Sequence, residues 1–414
     1  MNRPRDVQGI GARRAALKLL DAVLRRGETL DQAAATATAG LPTTSDIALA
    51  RAIASEALRW LTDLDVLIDS ATRQRLADDA KARTVLRIMV AQWLRLGTPP
   101  HAVVATALPL LAGGPRRLAH GVFGALVRRP AALPPTPTLP AAVADRWGER
   151  AEAIAAGLAE PPALDLTLRD PTETDAWAER LGGTSLAAGH LRLARGTAIS
   201  DLPGYADGAW WVQDLAASLP ARLLGAGEGR RVLDLCAAPG GKALQLAAAG
   251  WQVTAVDTSN RRLDRLRENL TRTGLTAEIV VADVLEWEPG NTFDAILLDA
   301  PCTATGTARR HPDVLHRIGP RQIAEMADLQ ARLLHRASAW LNPHGRLVYA
   351  VCSIERGEGE EQVAQVPLSL DPIRTEELPA GLSPAPKGWL RTDPGMLRDQ
   401  GGLDGFFIAR FRQI

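Results

Sequence analysis

Three kinds of residue in the second half of this chain could do chemistry together. From Leu233 to Leu244 the sequence reads L-D-L-C-A-A-P-G-G-K-A-L, an apolar run, a turn and the opening of a helix. Pro239 fixes φ, and Gly240 and Gly241 carry no Cβ. Backbone N–H groups at the start of the next helix can therefore approach a ligand, as in other strand-turn-helix nucleotide sites. The cradle comprises Cys236, Ala237, Ala238, Pro239, Gly240, Gly241 and Lys242. Asp257 closes a second apolar run 17 residues after Gly240, where a carboxylate can accept hydrogen bonds from both ribose hydroxyls of a nucleoside. Asp283 closes a third run and Asp299 a fourth. Two thiols complete the set, Cys302 in L-L-D-A-P-C and Cys352 in V-Y-A-V-C-S, soft nucleophiles at the ends of two later runs. The remaining cysteine, Cys236, reads as a small buried hydrophobe. The same carboxylate geometry would serve NAD, but A-P-G-G-K is not G-x-G-x-x-G and no second phosphate loop follows.

These residues need a sheet to bring them together. Strands are expected at 232–236, 253–257, 278–283, 293–299, 346–353 and 405–411, alternating with helices, which implies a doubly wound parallel sheet with ligands at its carboxyl ends. Ser259 is an N-cap and Gly274 a C′ residue for a helix whose inner face is Leu263, Leu266 and Leu270. Upstream, residues 160–215 give a compact α+β pattern with strands at 164–169 and 191–193, a helix over 172–181 and a return ending W-W-V-Q-D. Residues 131–159 begin P-A-A-L-P-P-T-P-T-L-P and read as a proline-rich linker. Residues 1–130 read as helices throughout, with Leu17, Leu20 and Leu24, then Ile47, Ala50 and Ile53, then Leu86, Val90, Trp93 and Leu94 at helical spacing.

With 414 residues, 46% of them hydrophobic, the chain has room for two or three domains. No run approaches the roughly 18 apolar residues of a membrane helix. The stretch Met1 to Glu28 has no apolar signal block, so a cytoplasmic protein is expected. Three cysteines without C-x-x-C or His/Cys spacing exclude a disulfide framework and a structural metal. The net charge is +1, yet residues 1–130 hold 19 basic against 11 acidic residues. That surplus reads either as solvated helix faces or as a surface for phosphates. Of 48 basic residues only Lys18, Lys81, Lys242 and Lys387 are lysine, and one of them lies in the cradle, a hint that an ammonium is wanted there. Between the two thiols, T-A-T-G-T-A-R-R-H-P-D suits backbone approach to a flipped-out nucleotide, with Arg309 and Arg310 as phosphate contacts.

Taken together, the A-P-G-G-K turn, the strand-end aspartates, the P-C and V-C-S motifs, Gln213-Asp214 and the closing D-G-F-F-I-A-R-F resemble the RNA cytosine-C5 methyltransferases that use S-adenosylmethionine. The N-terminal segments R-R-A-A-L-K-L-L-D-A-V-L, E-A-L-R-W, L-R-I-M-V-A-Q-W-L and G-V-F-G-A-L-V-R-R resemble the NusB-like helical domain, although Gly124 stands where that family commonly has Asn. A NusB-like domain joined to this core is the arrangement of the Fmu/Sun group. The resemblance implies an all-α RNA-binding domain at 1–130, a small RRM-like α+β subdomain, and an α/β Rossmann-like class I methyltransferase domain at 216–414. It implies S-adenosylmethionine as cofactor, with Asp283 beside its adenine. It also implies RNA as partner, 16S rRNA or an early small-subunit particle, acted on by a monomer without metal or membrane. In the resembled enzymes a thiolate adds to C6 of cytosine and makes C5 nucleophilic. On that likeness Cys352 is the nucleophile, Cys302 assists release and Asp299 supplies the proton or hydrogen bond at N3. DNA cytosine methyltransferases use their Pro-Cys as nucleophile, so spacing alone leaves the two thiols open. The family's Lys-Trp after P-D-I is absent, Leu315 and His316 standing there instead. Alternatives are a tRNA or 23S rRNA cytosine methyltransferase, or a non-catalytic RNA-binding assembly factor.

Overall fold

The computed structural model describes residues 9–196 and 198–413, so residues 1–8, which open the stretch read above for a signal block, lie outside the described residues. The chain divides into two compact units, one of residues 1–160 with Arg310–Ile318, the other of Pro161–Arg309 with Gly319–Ile414.

The first unit is helical: α1 (Ile10–Arg26), α2 (Leu30–Thr38), α3 (Thr44–Arg59), α4 (Leu61–Ser70), α5 (Lys81–Leu94), α6 (Pro100–Ala107), α7 (Gly113–Arg128), α8 (Ala141–Trp147) and α9 (Ala151–Leu158). Its centre is α5, buried without interruption from Ala82 to Gln92, as a helix surrounded by others must be. Two arginines sit on this buried helix because α4 supplies their partners. Arg83 makes a fork to Asp69, at 2.7 and 3.0 Å, and Arg87 one to Asp65, at 2.7 Å for both arms. Arg13 and Arg59 are buried as well, so part of the N-terminal basic surplus is internal and never meets solvent. Arg14, Lys18, Arg116 and Arg117 are exposed.

The stretch expected to be a linker differs from that reading. Residues 131–140 form neither helix nor strand, and Thr138 pins them to α4 by donating from N and Oγ1 to Asp63, at 2.9 and 2.6 Å. Residues 141–158, however, form α8 and α9. Prolines end at Pro140, which precedes the first turn of α8, and Val143, Trp147, Ile154 and Leu158 then bury an apolar face.

The second unit begins with a three-stranded antiparallel sheet in the order β2-β1-β3, formed by β1 (Leu164–Leu168), β2 (His190–Leu193) and β3 (Trp210–Val212), with α10 (Thr174–Leu181) against it. Next come α11 (Leu215–Arg222), β4 (Arg231–Leu235), α12 (Gly241–Ala248), β5 (Gln252–Asp257), α13 (Asn260–Thr273), β6 (Glu278–Val281) and β7 (Phe293–Asp299). A short α14 (Val314–Arg317) lies in the segment that belongs to the helical unit. The chain finishes with α15 (Pro320–Ser338), β8 (Leu341–Val351), α16 (Glu360–Val363), β9 (Ser369–Leu370), β10 (Leu390–Thr392) and β11 (Phe406–Arg412).

The large sheet runs β10-β11-β8-β7-β4-β5-β6, with β9 also on β11. Strands β4 to β8 are parallel, whereas β11 is antiparallel to β8 and to its other neighbours. The sheet is therefore mixed rather than wholly parallel. The final hydrophobic run returns beside β8 after the connection 352–405 and pairs antiparallel to it, Phe407 with Val351 through Arg412 with Arg346. Strands at the centre are buried on both faces and read as continuous apolar runs. In β7, Ala295 and Leu297 join one core with α11 to α13, while Ile296 and Leu298 join the other with α15. Ser259 accepts from Arg262 N to cap α13, Gly274 ends it in the left-handed conformation, and Leu263, Leu266 and Leu270 are buried. No helix among the described residues is long and apolar enough to cross a membrane.

Candidate active site

Strand β4 ends at Leu235, and the turn that follows reverses sharply. Cys236 has φ 60°, the Ala238–Pro239 peptide is cis, and Gly240 has φ 107° before α12 begins at Gly241. Glycine is required at 240 on two counts: its positive φ, and a Cβ there would lie 2.4 Å from Leu266 Cδ1 on α13. At Gly241 a Cβ would meet only ordinary contacts with Gln213, so that glycine is not compelled by space.

Asp257, at the end of β5, is 3% exposed. Its Oδ2 accepts from Ala238 N–H at 3.1 Å and its Oδ1 from Ser259 N–H at 2.9 Å, so the carboxylate fastens the turn to α13. A carboxylate offers about four lone-pair sites, which leaves acceptor capacity for a pair of ribose hydroxyls. Asp283 is exposed, two residues past the end of β6 rather than within it, because its Oδ1 accepts from Leu285 N–H at 2.9 Å and turns the chain.

At the end of β7, Asp299 Oδ2 lies 2.6 Å from Lys242 Nζ. Burial works against charge on Lys242, yet Asp299 outweighs it by charge and by hydrogen bond and holds the ammonium above its ordinary range. Lys242 also lies 5.4 Å above the Phe406 ring and within electrostatic reach of Cys352. The proton of this pair thus resides on Lys242, which donates it in a hydrogen bond to Asp299.

Strands β7 and β8 are neighbours, and the thiols that follow them meet: Cys302 Sγ and Cys352 Sγ are 3.4 Å apart. The hydrogen bond with Cys352, and then burial, push the Cys302 thiol well above its ordinary range. Burial likewise pushes up Cys236, as befits an unreactive thiol.

One expectation fails here. Arg309 is 3% exposed and donates from Nη2 to Gly401 O at 2.6 Å, so it anchors the chain internally and is not a phosphate contact. Arg310 is exposed, in the segment that belongs to the helical unit. Gly306 is required by a close approach of the chain to itself. A Cβ there would stand 1.9 Å from Gly405 O, and the two glycines face each other through Gly405 N–H to Gly306 O at 2.8 Å. Gln213 and Asp214 serve packing: Gln213 Nε2 donates to Gln245 Oε1 at 2.7 Å, and Asp214 caps α11. His316, in the helical unit, has Nε2 2.7 Å from Leu58 O.

Asp234 carries no role in the sequence reading, yet it is 0% exposed beneath the turn and neither of its carboxyl oxygens has a hydrogen-bond partner. Burial, then the charges of Asp299 and Asp257 against the opposing pull of Lys242, raise its pKa to about 8. A charge-bearing residue inside L-D-L was the available signal. A neutral, orphaned carboxyl under a glycine turn, with Asp257 beside it, is a donor set suited to the amino and hydroxyl groups of a nucleoside amino acid.

A sheet of this topology, with a nucleoside cradle after β4 and acidic residues closing successive strands, defines the class I methyltransferases, and S-adenosylmethionine is the cofactor. Residues 221–412 match the family described as 16S rRNA methyltransferase RsmB/F, and residues 11–113 match the NusB family. Ribosomal RNA small subunit methyltransferase B of Pseudomonas syringae pv. tomato is 33% identical over 97% of both chains, and that of Klebsiella pneumoniae subsp. pneumoniae is 34% identical over 97% of this chain and 98% of its own. The chain belongs to the family of ribosomal RNA small subunit methyltransferase B. Among solved structures, PH0851 shares the fold over 100% of both chains with a TM-score of 0.71 at 21% identity. A methyltransferase homolog from Pyrococcus horikoshii gives 0.56 at 28% identity, covering 66% of this chain and 94% of that one.

Proposed function

We propose that this protein methylates C5 of a cytosine in small-subunit ribosomal RNA through a covalent adduct with Cys352. The observation that carries the reading is the pair of thiols 3.4 Å apart beside the Lys242–Asp299 ion pair. S-adenosylmethionine would be held by the Ala237–Lys242 turn with Asp257, Asp283 and Asp234, and would supply an electrophilic methyl group. Everything else falls to the chain's own residues. By its place in the V-C-S motif, as in the resembled RNA enzymes, Cys352 is the thiol that adds to the base, and Cys302 lies 3.4 Å from it to assist release. The Cys352 sulfur adds to C6, and the electron pair displaced from the 5,6 double bond is stabilised by proton donation at N3 from the Lys242–Asp299 pair. Cys302, having passed its own proton to solvent, takes the C5 proton as the C5–C6 double bond re-forms, Cys352 leaves as thiolate and the N3 proton returns to the Lys242–Asp299 pair. The relatives' names support ribosomal RNA as substrate over transfer RNA.

Bisulfite sequencing of ribosomal and transfer RNA tests this directly, comparing cells with the protein, without it, and with Cys352→Ala. One small-subunit cytosine should lose protection in both deficient strains. Loss confined to transfer RNA or the large subunit refutes the substrate, and no loss in the Cys352→Ala strain refutes the mechanism.

A further inference from the structure

We propose that Glu358 is a positioning residue that ties the loop carrying Cys302 to the loop carrying Cys352 and so holds both thiols at one reaction centre. This inference rests on the two-thiol reading given above.

Glu358 is 0% exposed, and among the described residues it has no ion pair. Its carboxylate is served entirely by neutral donors. Thr303 N–H donates to Oε2 at 2.8 Å and Gln330 Nε2 to the same oxygen at 3.0 Å. Ser353 Oγ donates to Oε1 at 2.7 Å, and Thr303 Oγ1 donates there as well. Four donors fill the roughly four sites that a carboxylate offers. Thr303 directly follows Cys302 and Ser353 directly follows Cys352, so the two carboxylate arms clasp the two cysteine loops from outside the pocket.

Secondary contacts stiffen the clasp. Gln330 also donates to Pro301 O at 2.9 Å, which fixes the residues on both sides of Cys302. Gly306 N–H donates to Cys352 O at 3.0 Å, and Tyr349 Oη to the Glu358 backbone oxygen at 2.6 Å. Burying a carboxylate without a cation is expensive, and an apolar residue would fill the same space. What an apolar residue cannot do is accept from two loops at once. The Glu358 charge also contributes to holding the Cys302 proton in place.

Glu358→Gln keeps the volume, but with its oxygen on Thr303 N–H and Gln330 Nε2 its NH2 replaces the oxygen that accepts from the Ser353 and Thr303 hydroxyls, so both hydroxyls must turn round and the charge that draws them is lost. A packing role predicts that this variant is tolerated; a tying role predicts that it is not. The full-length protein is treated with dibromobimane, a reagent that becomes fluorescent when each of two neighbouring thiolates displaces one of its bromides. Bridging of Cys302 to Cys352, mapped by mass spectrometry, is expected to be about tenfold slower in Glu358→Gln than in the parent, with Cys236 unmodified in both. Thr303→Val and Ser353→Ala each remove one donor and should fall between, which keeps the test decisive if Glu358→Gln does not fold. In single turnovers on an unmethylated 16S rRNA transcript, Glu358→Gln should leave KM unchanged, lower kcat, and accumulate an RNA adduct that survives denaturing gels. Parental bridging rates in the folded variants overturn the proposal. Slow bridging with parental turnover overturns instead the two-thiol mechanism and leaves the tie standing.

Discussion

Asp234→Asn should stabilise this protein, and the gain should grow with pH. The native carboxyl is fully buried, unpartnered, and raised to about 8, against an ordinary 3.8. Between those two values the folded state binds a proton that the unfolded chain releases. The sign therefore runs against the usual carboxylate case: the stability that the neutral carboxyl retains at pH 4 is lost steadily as pH rises toward 8. Each pH unit costs about 1.4 kcal/mol, so the penalty at pH 7 is about 4 kcal/mol. Asparagine has the shape of the neutral carboxyl and cannot ionise, so the variant avoids this penalty. Urea unfolding of both proteins at pH 5, 6, 7 and 8, followed by near-ultraviolet circular dichroism, should give stability curves that diverge by about 1.4 kcal/mol per unit. Parallel curves would refute a neutral Asp234. The same variant should bind S-adenosylmethionine more weakly, because a residue kept at such a cost to stability serves the ligand.

The two thiols should fail differently: Cys352→Ala is expected to form neither adduct nor product with a 16S rRNA transcript, and Cys302→Ala to methylate but stall as a stable adduct on denaturing gels. Reversed behaviour would exchange their roles. Asp257→Ala removes an acceptor already holding Ala238 and Ser259, so cofactor affinity measured by calorimetry should drop by about 1–3 kcal/mol; unchanged affinity would remove Asp257 from the cradle. Charge reversal at the exposed Arg116 and Arg117 should weaken RNA binding and flatten its dependence on salt, whereas equal salt slopes would make the N-terminal surplus plain solvated surface.

Much of the site was legible because its signals are local. Ser259 and Gly274 mark the ends of α13, and the apolar runs marked β4, β5 and β7 to within a residue at either end. The juxtaposition of Cys302 and Cys352 followed from assigning them to neighbouring strands. What escaped was non-local or disguised. Asp234 hides in L-D-L, where alternation reads a polar residue as facing solvent, although a parallel strand has no solvent face. Glu358 hides in E-R-G-E-G-E-E, which reads as a solvated charge run. Arg309 looked like an RNA contact because Gly401, its partner, lies far along the chain. The antiparallel edge was missed because β9 and β10 have only two and three residues, too few to show a period.

The nine-residue segment Arg310–Ile318 belongs to the helical unit although Pro161–Arg309 separates it from the rest of that unit. His316 is half-buried there, with Nε2 against the Leu58 carbonyl. During synthesis α1 to α9 emerge first, yet their unit stays unfinished until the ribosome has passed residue 318, a delay on the order of ten seconds at ordinary elongation rates. The amino-terminal half is therefore made early and completed late, and its last structural component is delivered by the same stretch of chain that joins β7 to β8. No cut between the two units yields a whole helical unit from one continuous piece. An insertion or deletion between Cys302 and Cys352 is thus expected to register in the stability of α1 and α3 as well as in catalysis.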